Sequence, residues 1–374
     1  MIYLDANASE PLRPAAREAM LAAMAAAGNP SSVHFAGRAA RRRLEDARES
    51  LAARFGASRA ELVFTSGGTE ANALAIHALR RGRRVLIGAT EHDAVRAAAP
   101  EAEILPVDRD GVVDLEALAA TLAAGGPALV CVMLANNETG VLQPVAAVAA
   151  LCRAHGAMLH VDAVQAAGRM GVSFAELGAD SMALSSHKLG GPQGAGALLI
   201  RAPAVVPLIA GGGQEGGWRG GTPALPAIAG FAAAAQAEPA TQAEQAALTG
   251  LRDRLEAAAV ACGAVVAGGG AARLGNTSCV ALPGVAAQTQ VMALDLAGIQ
   301  VSAGAACSSG KVARSHVLDA MGLGALAGEA IRVSLPWCAT AADVDGFVAA
   351  YQSMTQRLAP SGWHVGPPSA ISPA

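Results

Sequence analysis

Short apolar runs alternate with alanine-rich helical patterns along the first half of this chain. Six such runs, rich in Val, Leu and Ile, lie at residues 62–65, 85–88, 129–135, 158–161, 181–185 and 197–200. Alternating buried strands and amphipathic helices are typical of a mainly parallel, doubly wound α/β sheet with right-handed crossovers. Ligands bind to such sheets at the carboxyl ends of the strands, so we look for chemistry there.

The length of 374 residues predicts two packed domains, because single cores tend to divide above about 250 residues. An alanine-rich helical stretch runs on to Ala259, interrupted at Pro239, and shorter strands follow at 277–282, 298–302 and 330–335. We predict a large domain over 13–245 and a smaller α+β domain built from 1–12 and 246–358. The Pro-, Gly- and Ser-rich residues 359–374 are predicted to form a disordered tail.

Composition excludes several classes of protein. No stretch approaches the roughly 18 apolar residues of a membrane span, and the start lacks an export signal, so we expect a cytoplasmic protein without a membrane partner. Six cysteines without Cys-x-x-Cys spacing argue against a disulfide framework and against a zinc site, and we expect no metal. With a net charge of -3, nucleic acid is not expected as a partner, and clustered arginines are predicted to form a solvated helix face (Arg38, Arg41, Arg42, Arg43, Arg48).

Lysine is scarce: among 27 Lys and Arg residues, only Lys188 and Lys311 are lysine. Arginine can replace lysine on a surface, but it cannot act as a primary-amine nucleophile. Lys188 ends the sequence Ser-Ser-His-Lys directly after the strand 181–185, before a Leu-Gly-Gly-Pro turn. We predict a catalytic Schiff-base lysine facing the crevice, with an exposed loop lysine as the alternative. Ser185 and His187 are placed to bind a phosphate.

A glycine-rich turn, Thr-Ser-Gly-Gly-Thr-Glu at 65–70, connects a strand to a helical pattern. Backbone N–H groups at such a helix start can surround an anion, and the helix dipole favours negative charge. The turn lacks the Gly-Lys-Ser/Thr of a nucleotide P-loop, which favours a phosphate without nucleoside-triphosphate chemistry. A turn that is glycine-rich for geometry alone is the alternative.

Two further strand ends carry candidate catalytic groups. Asp162 closes the strand at 158–161, where a carboxylate can keep a pyridine nitrogen protonated; a helix N-cap is the alternative. His92 follows the strand 85–88 and can stack on a planar cofactor or move protons, although a lone histidine is more often structural. Asn137, Asp162 and Lys188 are 25 and 26 residues apart, about one strand-helix-strand unit each, so they should project from neighbouring strands.

Arg332 and Cys307 come from the second half of the chain. Arg332 lies within an apolar strand, and a buried guanidinium needs an anionic partner such as a substrate carboxylate. Cys307 lies in a run of small residues predicted to form a loop, four residues before Lys311, a cation that lowers a thiol pKa. The other five cysteines lie mostly in apolar segments and are predicted to be packed. A loop cysteine without function is the alternative for Cys307.

These segments, in this order, resemble the cysteine desulfurases of the NifS/IscS class, members of the class V aminotransferase group with the fold-type I pyridoxal-phosphate architecture. The resemblance runs from Ile2 to about Val348. It is most specific at Ser-Ser-His-Lys (185–188), Asn-Asn-Glu-Thr-Gly (136–140) and Ala-Cys-Ser-Ser (306–309). It implies a pyridoxal 5'-phosphate cofactor on Lys188, with a mainly parallel large domain and a smaller α+β domain.

The resemblance also implies a role for each site residue. Asp162 would pair with the ring nitrogen, Asn137 would contact the ring hydroxyl beside Gln165, and His92 would stack on the ring. Arg332 would hold the substrate carboxylate, with Asn137 beside the substrate. The phosphate would be bound by Gly68, Thr69, Ser185 and His187, and by Thr222 from the other subunit of a homodimer.

The implied reaction converts L-cysteine to L-alanine and leaves a persulfide on Cys307, with His92 assisting proton transfers. The sulfur would pass to an acceptor or iron-sulfur scaffold protein. The chain departs from the family pattern in three places. Gly216 replaces an arginine after Glu215, Pro-Trp at 336–337 replaces Gly-Arg, and Ser-Glu at 9–10 replaces paired threonines.

Two other interpretations stay open at this point. Another fold-type I enzyme, such as an aminotransferase, a selenocysteine lyase or a cysteine-conjugate lyase, would need Lys188 and Asp162 but not Cys307. A catalytically silent scaffold that binds the cofactor would need neither turnover nor the thiol.

Overall fold

The computed structural model describes residues 1–202, 204–237, 242–304 and 314–358, and only the backbone of 242–244. Pro239, the predicted tail over 359–374, Cys307 and Lys311 lie outside these ranges. The strands in the described part of the chain are β1 (Ile2–Tyr3), β2 (Leu62–Thr65), β3 (Arg84–Gly88), β4 (Glu103–Leu105), β5 (Ala128–Met133), β6 (Met158–Asp162), β7 (Ser181–Ser185), β8 (Gly196–Ile200), β9 (Val265–Val266), β10 (Thr277–Ala281), β11 (Ile299–Gln300), β12 (Ser302–Ala303) and β13 (Ala330–Ser334).

Helices connect most of these strands. Several begin at side-chain caps: Asp114, for example, accepts hydrogen bonds from the N–H groups of Glu116 and Ala117 at 2.9 Å each. Within the described ranges the α-helices are α1 (Pro14–Met24), α2 (Phe35–Arg54), α3 (Gly68–Leu79), α4 (Asp93–Ala98), α5 (Leu115–Ala123), α6 (Val145–His155), α7 (Phe174–Leu177), α8 (Leu225–Gln236), α9 (Gln242–Ala261), α10 (Ala287–Leu296), α11 (His316–Ala320) and α12 (Ala341–Leu358).

The large sheet has the strand order β2-β8-β7-β6-β5-β3-β4. All neighbouring pairs are parallel except those of β8, which runs antiparallel to both β2 and β7. Every residue of β5, β7 and β8 is buried, as expected for strands covered on both faces by helices. The predicted α/β class with a mainly parallel sheet is therefore confirmed.

A smaller α+β unit follows in sequence. Its four strands have the order β12-β13-β10-β9, all antiparallel, and the chain start joins this unit through the parallel pair β1–β11. One apolar cluster combines residues from the chain start, from β13 and from α12, including Leu4, Ile331, Phe347 and Tyr351. The domain boundary near residue 245 stays a prediction.

The predicted strand at 298–302 is wrong in one respect, because this segment forms two strands. β11 pairs in parallel with β1, whereas β12 pairs antiparallel with β13, and Val301 lies between them. The pairing changes at Val301 from β1 to β13. The pattern of apolar and polar residues does not reveal such a change of partner strand.

The expected solvated arginine face on α2 is also wrong for Arg48. This side chain is buried, donates to the Leu62 carbonyl at 2.8 Å, and pairs with both carboxylate oxygens of Glu215 at 2.7 and 2.8 Å. Glu215 in turn accepts the N–H of Phe64 at 2.8 Å. The arginine therefore fixes the distant 213–217 turn against β2, and sequence spacing within α2 could not predict that partner.

Candidate active site

The carboxyl ends of β5, β6 and β7 meet at one edge of the large sheet, because these parallel strands are direct neighbours. Asp162 is the last residue of β6, and Asn137 lies in the turn that follows β5. Lys188 closes a single turn of 3₁₀-helix, Ser186–Lys188, directly after β7. The three predicted groups thus project from adjacent strand ends, as their spacing indicated.

One crevice brings together most of the predicted site residues. Thr222 is exposed and does not line this crevice of its own chain, and Cys307 lies outside the described residues, so both roles stay predictions. The residues in the crevice wall are Gly68, Thr69, His92, Asn137, Asp162, Gln165, Ser185, His187, Lys188 and Arg332.

The amine of Lys188 is held at the crevice by the chain start. Its Nζ donates to the carbonyl oxygens of Asn7 at 2.5 Å and Ala8 at 3.0 Å. Asn7 is fully buried, and its Nδ2 donates to the Asn137 carbonyl at 3.0 Å. The N-terminal segment therefore connects the lysine end of the crevice to the asparagine end.

Asp162 is buried with both carboxylate oxygens hydrogen-bonded. Oδ1 accepts the N–H of Val164 at 2.9 Å, and Oδ2 accepts Nδ2 of Asn72 at 2.7 Å. The bond to Val164 stabilises a local turn and does not begin a helix. A capping role of this kind involves only one of the two carboxylate oxygens. The same carboxylate lines the crevice.

The N-terminus of α3 lines the crevice, and a helix start of this kind is suited to bind an anion. α3 is 12 residues long and begins at Gly68, followed by Thr69, so its first N–H groups face this site. A Cβ at Gly68 would lie 2.6 Å from Cγ2 of Val164, so only glycine allows this close packing. Burial, assisted by the charges of Lys188 and Arg169, lowers the pKa of His187 to about 4, which leaves a neutral ring at pH 7.

The donor set fits pyridoxal phosphate. A carboxylate lines the crevice from β6, the start of α3 and the side chains of Ser185 and His187 would serve the phosphate, and the primary amine of Lys188 lines the same crevice. The Oδ1 atom of Asn137 is buried without a hydrogen-bond partner in the described structure. Because orphaned buried acceptors are rare, this oxygen fits a hydroxyl of a bound ring.

Arg332 is buried on β13, where its Nη2 donates to Oδ1 of Asp5 at 2.7 Å and its Nη1 donates to the Asn137 carbonyl at 3.2 Å. Ser302 donates to the other Asp5 oxygen at 2.9 Å. The guanidinium thus has an anionic partner within the chain, which the sequence did not indicate. Its Nε is buried without a partner among the described residues, and the side chain lines the crevice.

His92 has a structural role and also lines the crevice, while its predicted role at a cofactor stays a prediction. Its Nδ1 accepts the N–H of Ala94 at 3.0 Å, which caps α4, while the ring lines the crevice. The cap orients the imidazole, so the structural and the functional interpretation describe the same side chain.

The five cysteines in the described ranges are all free. Burial raises the pKa of Cys131 and Cys279, and raises that of Cys152 to about 12, so these thiols are poor nucleophiles. The expectation that all five are packed is wrong for Cys338, which is exposed beyond β13. The Pro-Trp pair before it turns the chain out of the sheet.

Two polar crevice residues, Asn7 and Asn72, were not predicted from the sequence. Asn72 is a single polar residue in the apolar face of α3. Its position among apolar residues was the signal that the sequence offered. Asn7 follows a short apolar start, and nothing in its local pattern predicts contact with residues more than 100 positions away.

No helix in the described ranges is both long and apolar enough for a membrane crossing. The same residues contain no group of three or more His, Cys, Asp or Glu side chains that could hold a metal ion.

Comparison with known proteins extends the likeness over nearly the whole chain. The family described as aminotransferase class-V matches residues 2–347. A cysteine desulfurase of Cereibacter sphaeroides is 42% identical over 375 residues, covering 96% of each chain. An IscS-like cysteine desulfurase of Mycobacterium tuberculosis is 40% identical over 368 residues, covering 92% of this chain and 94% of the relative.

A solved structure agrees with these relatives. The NifS-like protein of Rickettsia africae superposes with a TM-score of 0.88 at 34% identity, over 95% of this chain and 99% of that one. The likeness therefore includes both the large sheet and the smaller unit.

Proposed function

Since this chain belongs to the aminotransferase class-V family, we propose from its crevice and its relatives that it is a pyridoxal-phosphate-dependent cysteine desulfurase. It converts L-cysteine to L-alanine and transfers the sulfur to an enzyme thiol. The observation that carries the proposal is the convergence of Lys188, Asp162 and Arg332 on one crevice, two from neighbouring strand ends and one from the smaller unit.

Lys188 supplies the amine that binds the cofactor and later moves the proton at the substrate Cα. Its two carbonyl contacts hold Nζ toward the crevice. Asp162 would place a carboxylate against the ring nitrogen of the bound cofactor, and His92 would face its ring. Bound pyridoxal phosphate supplies an electron sink for the pair left at Cα.

Arg332 would orient the substrate through its carboxylate. The guanidinium keeps donors beyond those used by Asp5 and Asn137, because five N–H groups are available and Nε has no partner in the described structure. Binding at this end leaves the amino group directed to the lysine end and the side chain directed outward. Water is kept from this end because Arg332 is only 1% exposed.

Cys307 is proposed as the sulfur-accepting nucleophile. Its thiolate attacks the substrate sulfur, so a sulfur-sulfur bond forms while the carbon-sulfur bond breaks. The carbon takes up a proton and leaves as alanine, and the enzyme keeps a persulfide; no external oxidant or reductant is needed. The raised thiol pKa values at Cys131, Cys152 and Cys279 support this choice among the cysteines.

The remaining parts of the proposal concern the assembly. We expect a cytoplasmic homodimer in which Thr222 of each chain reaches the phosphate of the other active site. Thr222 is exposed on its own chain, in a position where a second chain can contact it. The persulfide would be passed to a sulfur-acceptor or iron-sulfur scaffold protein.

Incubation of the purified protein with L-cysteine tests the proposal. We expect equimolar alanine and protein-bound persulfide in a single turnover, with the persulfide on the peptide that contains Cys307. Cys307→Ala should remove both products, whereas Cys338→Ala, the matched loss of an exposed thiol, should retain both. Alanine formation at the wild-type rate by Cys307→Ala would indicate simple elimination or another thiol, and a lyase would then be the better assignment.

A further inference from the structure

A buried chain of hydrogen bonds runs from Asp162 into the core of the large domain. Nδ2 of Asn72 donates to Oδ2 of Asp162 at 2.7 Å, and Oδ1 of Asn72 lies 2.9 Å from Nε2 of His160. Nδ1 of His160 lies 2.8 Å from Oγ of Ser181. Each of these four residues is at most 5% exposed.

If the His160 ring carries a single proton, only one arrangement of protons satisfies all three contacts. The carboxylate of Asp162 accepts, so the amide nitrogen of Asn72 must face it and the amide oxygen must face His160. That oxygen can only accept, so Nε2 of His160 carries the ring proton. Nδ1 is then bare, and the hydroxyl of Ser181 donates to it.

The fold holds the members of this chain in register. His160 and Asp162 are two residues apart on β6 and therefore point to the same face of the strand. Ser181 on β7 pairs directly with His160 across the sheet, and Asn72 reaches both from α3. Burial lowers the pKa of His160 to about 3, so the ring keeps a single proton at pH 7.

The proton on Nε2 has a consequence for Asp162. An Asn amide can rotate by half a turn at little cost unless its neighbours distinguish oxygen from nitrogen. If Nε2 offered no proton, the Asn72 oxygen would lose its partner, and the flipped amide would set that oxygen against the Asp162 carboxylate. The N–H donor that Asn72 presents to Asp162 would be replaced by an oxygen that repels the carboxylate.

We propose that His160 is a positioning residue for the cofactor site, which acts through Asn72 by fixing the amide so that its nitrogen faces Asp162. His160 does not line the crevice. Its effect reaches Asp162 through two hydrogen bonds. The inference rests on the proposed function, because the ligand of Asp162 is taken to be pyridoxal phosphate.

A double-mutant cycle tests this indirect action. The dissociation constant of pyridoxal phosphate is measured by fluorescence titration of the apo-protein of wild type, His160→Leu, Asn72→Ala and the double variant. We expect each single change to weaken binding about tenfold, the loss of one hydrogen bond to a charged group. The double variant should also be about tenfold weaker, because without Asn72 the histidine has no route to Asp162.

A roughly hundredfold loss in the double variant would show independent effects and would overturn the proposal. His160→Gln is the conservative control, because its amide nitrogen can occupy the place of Nε2. It should restore most of the affinity that His160→Leu loses. Equal losses in the Gln and Leu variants would indicate that only packing matters.

A measurement on the apo-protein separates this inference from the proposed function. In protein labelled with ¹⁵N-histidine, the ring shifts of His160 should show a proton on Nε2 and a bare Nδ1. Ser181→Ala should shift the Nδ1 resonance. A proton on Nδ1 in the wild type would overturn the inference whatever ligand binds. The tautomer of the wild type can be measured even if His160→Leu fails to fold. If the wild type shows the expected tautomer but binds no pyridoxal phosphate, the hydrogen-bond chain is present. Its proposed role at a cofactor site would then be wrong.

Discussion

The two ends of the crevice support their charged groups in opposite ways. Asp162 is held by neutral donors, the N–H of Val164 and the amide of Asn72, with a neutral histidine behind them. Arg332 is held by another charge, the carboxylate of Asp5, at 2.7 Å. The negative charge of Asp162 is therefore oriented by neutral hydrogen-bond donors, whereas the positive charge of Arg332 is partly neutralised by Asp5.

This difference matches what each end binds. Neutral donors leave the full negative charge of Asp162 for a cofactor that stays bound. A guanidinium already paired with Asp5 attracts a second carboxylate less strongly, because the pair partly cancels its field. A substrate that must enter and leave in each turnover is therefore held more weakly. The comparison predicts large effects at the Asp162 end and smaller ones at the Arg332 end.

The largest effect is expected for Asp162→Asn, which keeps the shape of the side chain but removes its charge. Without a carboxylate at the ring nitrogen, the electron sink weakens, and kcat for alanine formation should fall by about 10²- to 10³-fold. Steady-state alanine production, with the cofactor content of each sample measured by absorbance, checks this. A loss below tenfold in fully loaded protein would contradict the role given to Asp162.

A smaller effect concerns the acid stability of the apo-protein. His160 has a pKa of about 3 in the folded chain and about 6.5 when unfolded, so the unfolded state binds more protons in that window. Stability should therefore fall as the pH drops below 6.5, by about 2 kcal/mol at pH 5 for this one group.

His160→Gln removes that proton uptake, so the stability difference between wild type and variant should shrink between pH 7 and pH 5. Denaturant melts of both apo-proteins at the two pH values measure it. Buried carboxyls with raised pKa values, Glu91 and Glu138, act in the opposite sense, but they are present in both proteins and cancel. A constant difference would show that His160 is protonated equally in both states.

At the other end, Arg332→Lys should raise KM for L-cysteine about tenfold, with a smaller change in kcat. Lysine keeps the charge but loses the planar donors that serve Asp5, Asn137 and a carboxylate together. Separate determination of kcat and KM distinguishes this from a general loss of activity. An unchanged KM would place the substrate carboxylate elsewhere.

The smallest effect is also the sharpest test of the comparison. Asp5→Asn keeps an acceptor oxygen for Arg332, places an amide N–H group against the hydroxyl of Ser302, which can accept it, and removes the competing charge. KM for L-cysteine should fall by about two- to fivefold, a gain of less than 1 kcal/mol. A rise in KM would mean that Asp5 only orients the guanidinium and does not weaken its hold on substrate.

The pattern of strands and the reactive residues at strand ends predicted the large sheet and several residues of the crevice. The alternation of strands and helices predicts the large sheet, and polar residues mark the end of β6 at Asp162 and the turn after β7 at Lys188. These signals are local, because each depends on a strand and the residue that ends it. The scarcity of lysine added a signal that does not depend on structure.

The supporting contacts could not be predicted in the same way. Asn7 contacts Asn137 and Lys188, Arg48 pairs with Glu215, and Arg332 pairs with Asp5, each across more than 100 residues of sequence. Such partners depend on the packing of the two units, which periodicity does not encode. The antiparallel direction of β8 was not predicted for a similar reason, since strand direction follows from the connection rather than from composition.

Borohydride reduction of the purified holo-protein, followed by peptide mapping, tests the central claim most directly. The account predicts that the cofactor is covalently fixed to the peptide that contains Lys188, with loss of the visible absorbance of the bound pyridoxal phosphate. The other lysine, Lys311, provides an internal control in the same digest. Reduced cofactor on Lys311, or protein that neither contains nor takes up pyridoxal phosphate, would contradict the account.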